Sequence, residues 1–186
     1  DEVHERTNKL RISNIHTPTI EIFLPQNAGH TTPAVVMFPG GGYSVLVYEE
    51  AGTNYAEWLN KRGIAGIVVK YRLPDWEVQS QAKFVPLIDA QRALRMGRYH
   101  SEEWNIEPDR RGSMGSSAGG HLASSLSTLF SVDTLVTLKD SIQSISARPN
   151  FSILVYPVIS MYDPYAHKGS RRNLLTENFT EEDQAY

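Results

Sequence analysis

Residues Gly115-Ser116-Ser117-Ala118-Gly119 spell G-x-S-x-G, and no other stretch restricts the local fold so tightly. This is the pattern of a nucleophile elbow, a strand that breaks abruptly into a helix with a serine at the break. The chemistry accounts for the spelling. A hydroxyl attacks a carbonyl only when it stands clear of the fold with a base in reach. A sharp turn supplies that projection, strains the serine backbone and crowds the positions two residues to either side. Glycine at both positions removes the collision. The same turn aims the N–H of Ala118 at the space in front of Ser117.

Such motifs also arise in glycine- and serine-rich loops, so the flanks decide. Beyond the serine, Ala118, Leu122, Leu126 and Leu129/Phe130 recur at helical spacing, helped by Ala123 and uninterrupted by proline. That pattern predicts an amphipathic helix. Ahead of it, residues 110–116 contain one large apolar residue, Met114. A strand is expected there from position more than from composition.

The rest of the chain supplies a frame. Residues 10–15 and 19–24 are short β-prone runs separated by His16-Thr17-Pro18, which suggests an antiparallel hairpin. Residues 25–32 read as loop. Ala34-Val35-Val36-Met37-Phe38 is a continuous apolar run between prolines, as in a buried strand. Residues 50–62 read as a helix with Tyr55, Trp58 and Leu59 on one face and Gly63 as its stop. Residues 64–71 form a second buried strand, 73–84 a loop, 86–104 a helix, and 151–157 the last convincing strand. After Met161 the chain is polar and turn-rich. Strand and helix alternate after an antiparallel start, which argues for an α/β sheet that becomes parallel. Ligands in such sheets sit at the carboxyl ends of the strands. Gly40-Gly41-Gly42 and the Gly115–Gly119 segment both fall there, so they are expected side by side.

Bulk properties exclude several classes. A chain of 186 residues is long enough for one domain with a real core. The net charge of -3 gives no electrostatic case for nucleic acid, and no apolar run spans a membrane. The absence of cysteine excludes disulfides and thiolate metal sites. The first residue is Asp1 rather than methionine. It reads as a processed or trimmed terminus and favours an extracellular or periplasmic setting over a cytoplasmic one.

The Gly40–Gly42 triplet after a buried strand reads either as a flexible turn or as an oxyanion loop whose N–H groups approach a substrate oxygen. A phosphate-binding Walker loop fails, because no Lys-Ser/Thr pair follows. Together with the elbow, six segments appear in order: Pro39-Gly40-Gly41-Gly42-Tyr43, Lys70-Tyr71-Arg72-Leu73-Pro74, Asp89-Ala90-Gln91-Arg92-Ala93, Met114 through Ala123, Tyr156-Pro157-Val158-Ile159, and Gly169 through Leu175. Over roughly residues 10–176 the chain resembles α/β-hydrolase esterases related to acetylxylan esterases and hormone-sensitive-lipase-like carboxylesterases. The resemblance implies an α/β-hydrolase domain over residues 1–186, as the N-terminal two-thirds of that fold. It also implies hydrolysis of carboxylic esters, often acetyl groups on plant polysaccharides. Ser117 would be the nucleophile. Gly41, Gly42 and Ala118 would supply oxyanion N–H groups, with Tyr43 beside the substrate. No metal or organic cofactor is implied.

The chain departs from that family in two ways. Arg111, Ser113 and Ser116 stand where the family carries large apolar residues, and a buried polar group costs free energy unless hydrogen-bonded. The acid and histidine of the resembled family also follow two further strands, and here one strand follows the elbow. Asp133, Asp140 and Asp163 are available acids, and His167 is the one histidine after the elbow helix. His167 reads first as a loop histidine, His121 as a packed helix residue, and His100 as a helix-end residue suited to the dipole. Trp58 and Trp104 are expected in the core, Asp89 in a helix pair with Arg92 or, as the resemblance hints, in a structural anchor, and Arg171-Arg172 in a solvated or salt-bridged turn. Trp76, in a loop, is the aromatic expected to touch a ligand, such as a sugar. The expected partner is a small-molecule or oligosaccharide ester. A non-catalytic binding protein on the same scaffold and a serine peptidase are the alternatives.

Overall fold

The computed structural model describes residues 2–6, 9–26, 29–132 and 140–185. Asp133 lies outside them. The strands are β1 (Val3–Arg6), β2 (Leu10–Ser13), β3 (Thr19–Phe23), β4 (Thr32–Phe38), β5 (Leu46–Val47), β6 (Ala65–Lys70), β7 (Ile106–Ser116) and β8 (Phe151–Val155). The helices are α1 (Asn54–Asn60), α2 (Val85–Tyr99), α3 (Ala118–Leu129), α4 (Lys168–Leu175) and α5 (Glu181–Gln184).

The main sheet has the order β3-β6-β4-β7-β8. β6, β4, β7 and β8 run parallel, and β3 is antiparallel at the edge of β6. Each parallel step is bridged by a helix, as parallel pairing requires: α1 between β4 and β6, α2 between β6 and β7, and α3 between β7 and β8. The apolar runs of β4 and β6 are buried throughout their centres because helices cover both faces. Ile67 points at α2 near Gly97, and its neighbour Gly66 points at Ala56 of α1. Alternate residues of one strand therefore meet opposite layers.

The N-terminal antiparallel hairpin is present, but it joins β1 to β2, and β2 continues into a small sheet with β5. The expected pairing of the 10–15 and 19–24 runs does not form. All five residues of β3 pair with β6 instead. The open edge of the main sheet offers β3 a longer ladder than the four residues of β2 could.

The polar residues of β7 meet two different surroundings. Buried Ser113 shares a hydrogen bond with Ser152 of β8 at 2.8 Å, Ser152 with Ser127 of α3 at 2.5 Å, and Ser127 donates to the Ala123 carbonyl at 2.8 Å. This hydroxyl chain stitches strand, strand and helix together. Arg111 and Ser116 are not compensated in that way. Among the described residues Nε and Nη1 of Arg111 and Oγ of Ser116 are buried without a partner. Burial pushes the Arg111 guanidinium down to about 10, and the nearby Arg98 charge pushes the same way.

Three further expectations are corrected. Asp89 pairs with Arg72, not Arg92. Its carboxylate accepts from the Arg72 backbone N–H at 2.9 Å, from Nε at 3.0 and 3.2 Å and from Nη2 at 2.6 Å. Burial pushes the Asp89 carboxyl up against the pull of those bonds, and the carboxylate holds the Arg72 guanidinium above its usual range. Arg92 reaches Asp140 instead, at 2.8 and 2.7 Å. Trp58 is 54% exposed with the Arg62 guanidinium 3.6 Å above its ring, because α1 turns Ala56 and Leu59 inward. Trp104 packs partly buried against the core, stacked on His100 at 4.7 Å. The turn-rich C-terminal part contains α4 and α5. Thr180 and Asp183 cap α5 reciprocally, and Lys83 pairs with Asp183. β8 is the outermost strand, with Phe151, Ile153 and Leu154 partly exposed.

Replacing Arg111 with methionine removes unpartnered buried donors from a packed site. Arg111→Met is expected to raise stability by about 1–3 kcal/mol. Arg111 Nη2 donates to the Glu107 carbonyl at 3.4 Å; urea unfolding checks the prediction, and a lower midpoint for the variant would contradict the cost assigned to the unpartnered Nε and Nη1.

Candidate active site

Ser117 lies between the last residue of β7 and the first of α3, at φ 53° and ψ −120°. That left-handed conformation is strained for a residue with a side chain. The surroundings hold it. The Ser117 N–H donates to the Val155 carbonyl at 3.1 Å, and the Ser117 carbonyl accepts from the N–H of His121 at 3.1 Å and of Val158 at 2.9 Å. Both flanking glycines are sterically required. A Cβ on Gly115 would lie 1.9 Å from the Gly119 carbonyl oxygen, and one on Gly119 would lie 2.0 Å from that of Phe38. Ser117 is half-buried, and its hydroxyl has no hydrogen-bond partner among the described residues.

β4 and β7 are neighbours in the sheet, with Phe38 opposite Gly115. The loop after β4 therefore abuts the elbow, as the strand order predicted. A Cβ on Gly40 would meet Ser117 Cβ at 3.2 Å. The carbonyls of this loop all point to fixed donors. Gly40 accepts from the Val47 N–H at 2.8 Å, and Gly41 from the N–H groups of Ser44 and Val45 and from Ser44 Oγ, each at 3.2 Å. Gly42 accepts from Asn173 Nδ2 on α4 at 2.8 Å. In a trans peptide the N–H points opposite to the carbonyl. The N–H groups of Gly41 and Gly42 thus point away from the bonds made by the Gly40 and Gly41 carbonyls, and among the described residues they donate to nothing. Gly41 at φ 139° and Gly42 at φ 67° adopt the backbone that this arrangement needs. The N–H of Ala118, first residue of α3, is one of those with no acceptor inside the helix.

The other singled-out residues separate. Tyr43 is only 2% exposed; its hydroxyl lies 2.8 Å from His121 Nδ1 and the two rings meet edge to face. It supports the loop from beneath and forms the inner wall of a cleft rather than standing open to solvent. His167 caps α4: its Nδ1 lies 2.9 Å from Ser170 Oγ and accepts from the Ser170 N–H at 3.2 Å. Asp163 faces Arg171 at 3.2 Å. Arg92 holds the Asp140 carboxyl down to about 2. His100 sits 2.7 Å from Glu103 at the end of α2. No described acid and histidine line up on Ser117. Trp76 is 43% exposed and lines the same cleft as Tyr43. Sequence reading missed Asn173. It lies in the Gly169–Leu175 segment, where its side chain at helical spacing from the buried Ser170 was the available signal.

A strained serine at a strand-to-helix turn, packed against a glycine loop at the carboxyl edge of a mostly parallel sheet, defines an α/β-hydrolase. The chain belongs to the BD-FAE family, whose pattern it matches over residues 20–182. It is 40% identical over 166 residues to an acetylxylan esterase from Xylanibacter ruminicola, covering 89% of this chain and 30% of that protein. It is 34% identical over 152 residues to endo-1,4-beta-xylanase B from Butyrivibrio fibrisolvens, covering 82% and 23%. Among solved structures, an acetyl ester-xyloside bifunctional hydrolase from Caldicellulosiruptor lactoaceticus superposes with a TM-score of 0.77 at 36% identity, covering 91% of this chain and 59% of that one. The chain therefore spans less than two thirds of each of these relatives.

The steric claim at the elbow is directly testable. Gly119→Ala forces a methyl into the Phe38 carbonyl and is expected to cost more than about 4 kcal/mol. Thermal unfolding measures this, and a melting temperature equal to wild type would contradict the close approach.

Proposed function

We propose that this chain carries the nucleophile and oxyanion hole of a serine carboxylesterase acting on short acyl esters, chiefly acetyl, on plant polysaccharide or its oligosaccharides. The observation that carries this reading is the pair of free Gly41 and Gly42 N–H groups beside a half-buried serine hydroxyl. An ester carbonyl carbon over Ser117 Oγ would leave its oxygen facing those donors. As Oγ attacks, its proton passes to a base and negative charge develops on the carbonyl oxygen. Gly41, Gly42 and Ala118 N–H groups would stabilise that charge, each donor contributing on the order of 3 kcal/mol. The alcohol then leaves with the proton, and water cleaves the acyl-enzyme. His121 lies against Tyr43 and His167 against Ser170, each through Nδ1. In this fold the acid and histidine come after the serine in the chain, so this reading takes the base from residues C-terminal to α3. The acetyl preference rests on the acetylxylan esterase and acetyl ester-xyloside hydrolase relatives.

The second reading is a binding protein on a hydrolase scaffold. One pair of measurements separates them. In the full-length protein, a fluorophosphonate is expected to label Ser117, and Ser117→Ala to lower acetyl ester turnover by about 10³-fold or more. Absence of labelling together with no turnover would favour the binding protein, and turnover unchanged in Ser117→Ala would rule out Ser117 as nucleophile.

A further inference from the structure

A cleft of about 530 Å³ opens beside the oxyanion loop, between the turn at residues 14–16 and the loop at 73–79. Its inner wall is Tyr43 and Ser44, the residues that directly follow Gly41 and Gly42. A substrate held at Ser117 would therefore extend into it. The cleft is much larger than an acetyl group, and polar side chains make up most of its lining: Asn14, His16, Ser44, Asp75, Glu77 and Gln79. An acyl pocket would be small and apolar, so size and lining both assign the cleft to the other half of an ester, the alcohol.

The 73–79 loop is built to hold Trp76 still. Gln79 Oε1 accepts from the Asp75 N–H at 3.1 Å, Gln79 Nε2 donates to the Leu73 carbonyl at 3.3 Å, and the Gln79 N–H donates to the Asp75 carbonyl at 2.9 Å. Asp75 Oδ1 accepts from the Glu77 N–H at 3.1 Å. The loop's root is clamped by the Arg72–Asp89 pair. Exposed Trp58 is covered by Arg62, but among the described residues no ring or cation lies against Trp76. A large aromatic surface fixed at a loop tip and left open has little ordering entropy to lose when a ligand covers it.

We propose that this cleft is the subsite for the leaving alcohol, and that the alcohol is a sugar residue of a polysaccharide chain, its C–H face stacked on Trp76 and its hydroxyls bonded to the polar rim. A pyranose presents one apolar face and a belt of donors and acceptors, which is the complement of one tryptophan ring ringed by Asn14, His16, Asp75 and Glu77. The assignment rests on the ester-hydrolase reading of Ser117, and its tests separate the two. In the full-length protein, three acetyl esters are compared: an acetylated xylo-oligosaccharide, phenyl acetate, and ethyl acetate, whose alcohol has no ring to stack on Trp76. Trp76→Ala is expected to lower the ratio of kcat/KM on the sugar ester to that on ethyl acetate by about ten-fold, and Trp76→Phe to restore most of it. An unchanged ratio, whether both rates fall or neither does, overturns the proposal. A loss confined to phenyl acetate would make the cleft an aryl site and overturn it as well. Independently of turnover, calorimetric titration of Ser117→Ala with unacetylated xylo-oligosaccharide is expected to give saturable binding that a second change, Trp76→Ala, abolishes. That result supports the subsite even if no ester is cleaved, and absence of binding counts against it.

Discussion

The site depends on how closely the first turn of α3 approaches the carboxyl ends of β4 and β7. Gly119 lies so near the Phe38 carbonyl, and Gly115 so near the Gly119 carbonyl, that neither position admits a Cβ. This contact forces Ser117 into its left-handed backbone and sets the Gly40–Gly42 loop against the elbow. Moving α3 outward by the width of a methyl group would separate the serine from the loop N–H groups and relax the turn that exposes the hydroxyl. The packing of one helix end on two strand ends thus links the core of the sheet to the chemistry at its edge.

A second tier of contacts keeps the edge rigid. The loop carbonyls are tied down by Val47, by Ser44 and Val45, and by Asn173, the last reaching across from α4. Anchoring the Gly40 and Gly41 carbonyls turns the N–H groups of Gly41 and Gly42 the other way, since one peptide plane orients both. Tyr71 donates to the Pro39 carbonyl at 2.6 Å from a fully buried position, and Tyr43 with His121 joins the loop to α3. On the proposed reading these donors need no reorganisation as charge develops, which is where most electrostatic stabilisation of an oxyanion comes from.

The elbow, the glycine loop, the buried strands and their adjacency were all legible in the sequence, because each is specified locally. A glycine pair flanking a serine, or an apolar run between prolines, needs no distant partner to be recognised. What escaped reading depends on partners far along the chain. Ser113 looks wrong for a buried strand until Ser152 and Ser127 complete its hydroxyl chain. Asp89 sits one turn from Arg92 yet binds Arg72, whose backbone and guanidinium it can satisfy together. Two strands with a tight turn between them suggest a hairpin, but the open edge of β6 captured β3. Helical spacing put Trp58 on the inner face, whereas Ala56 and Leu59 lead the burial and the indole lies outside under Arg62.

The central claim is geometric: Ser117 and the N–H groups of Gly41, Gly42 and Ala118 converge on one oxygen. Its most direct test is the crystal structure of the full-length protein after reaction with a phosphonate ester, whose tetrahedral phosphorus mimics the intermediate. The account predicts phosphorus bonded to Ser117 Oγ, with one phosphonyl oxygen about 2.7–3.1 Å from the loop and Ala118 nitrogens. A phosphonyl oxygen turned to solvent, or phosphorus attached to another residue, would contradict it.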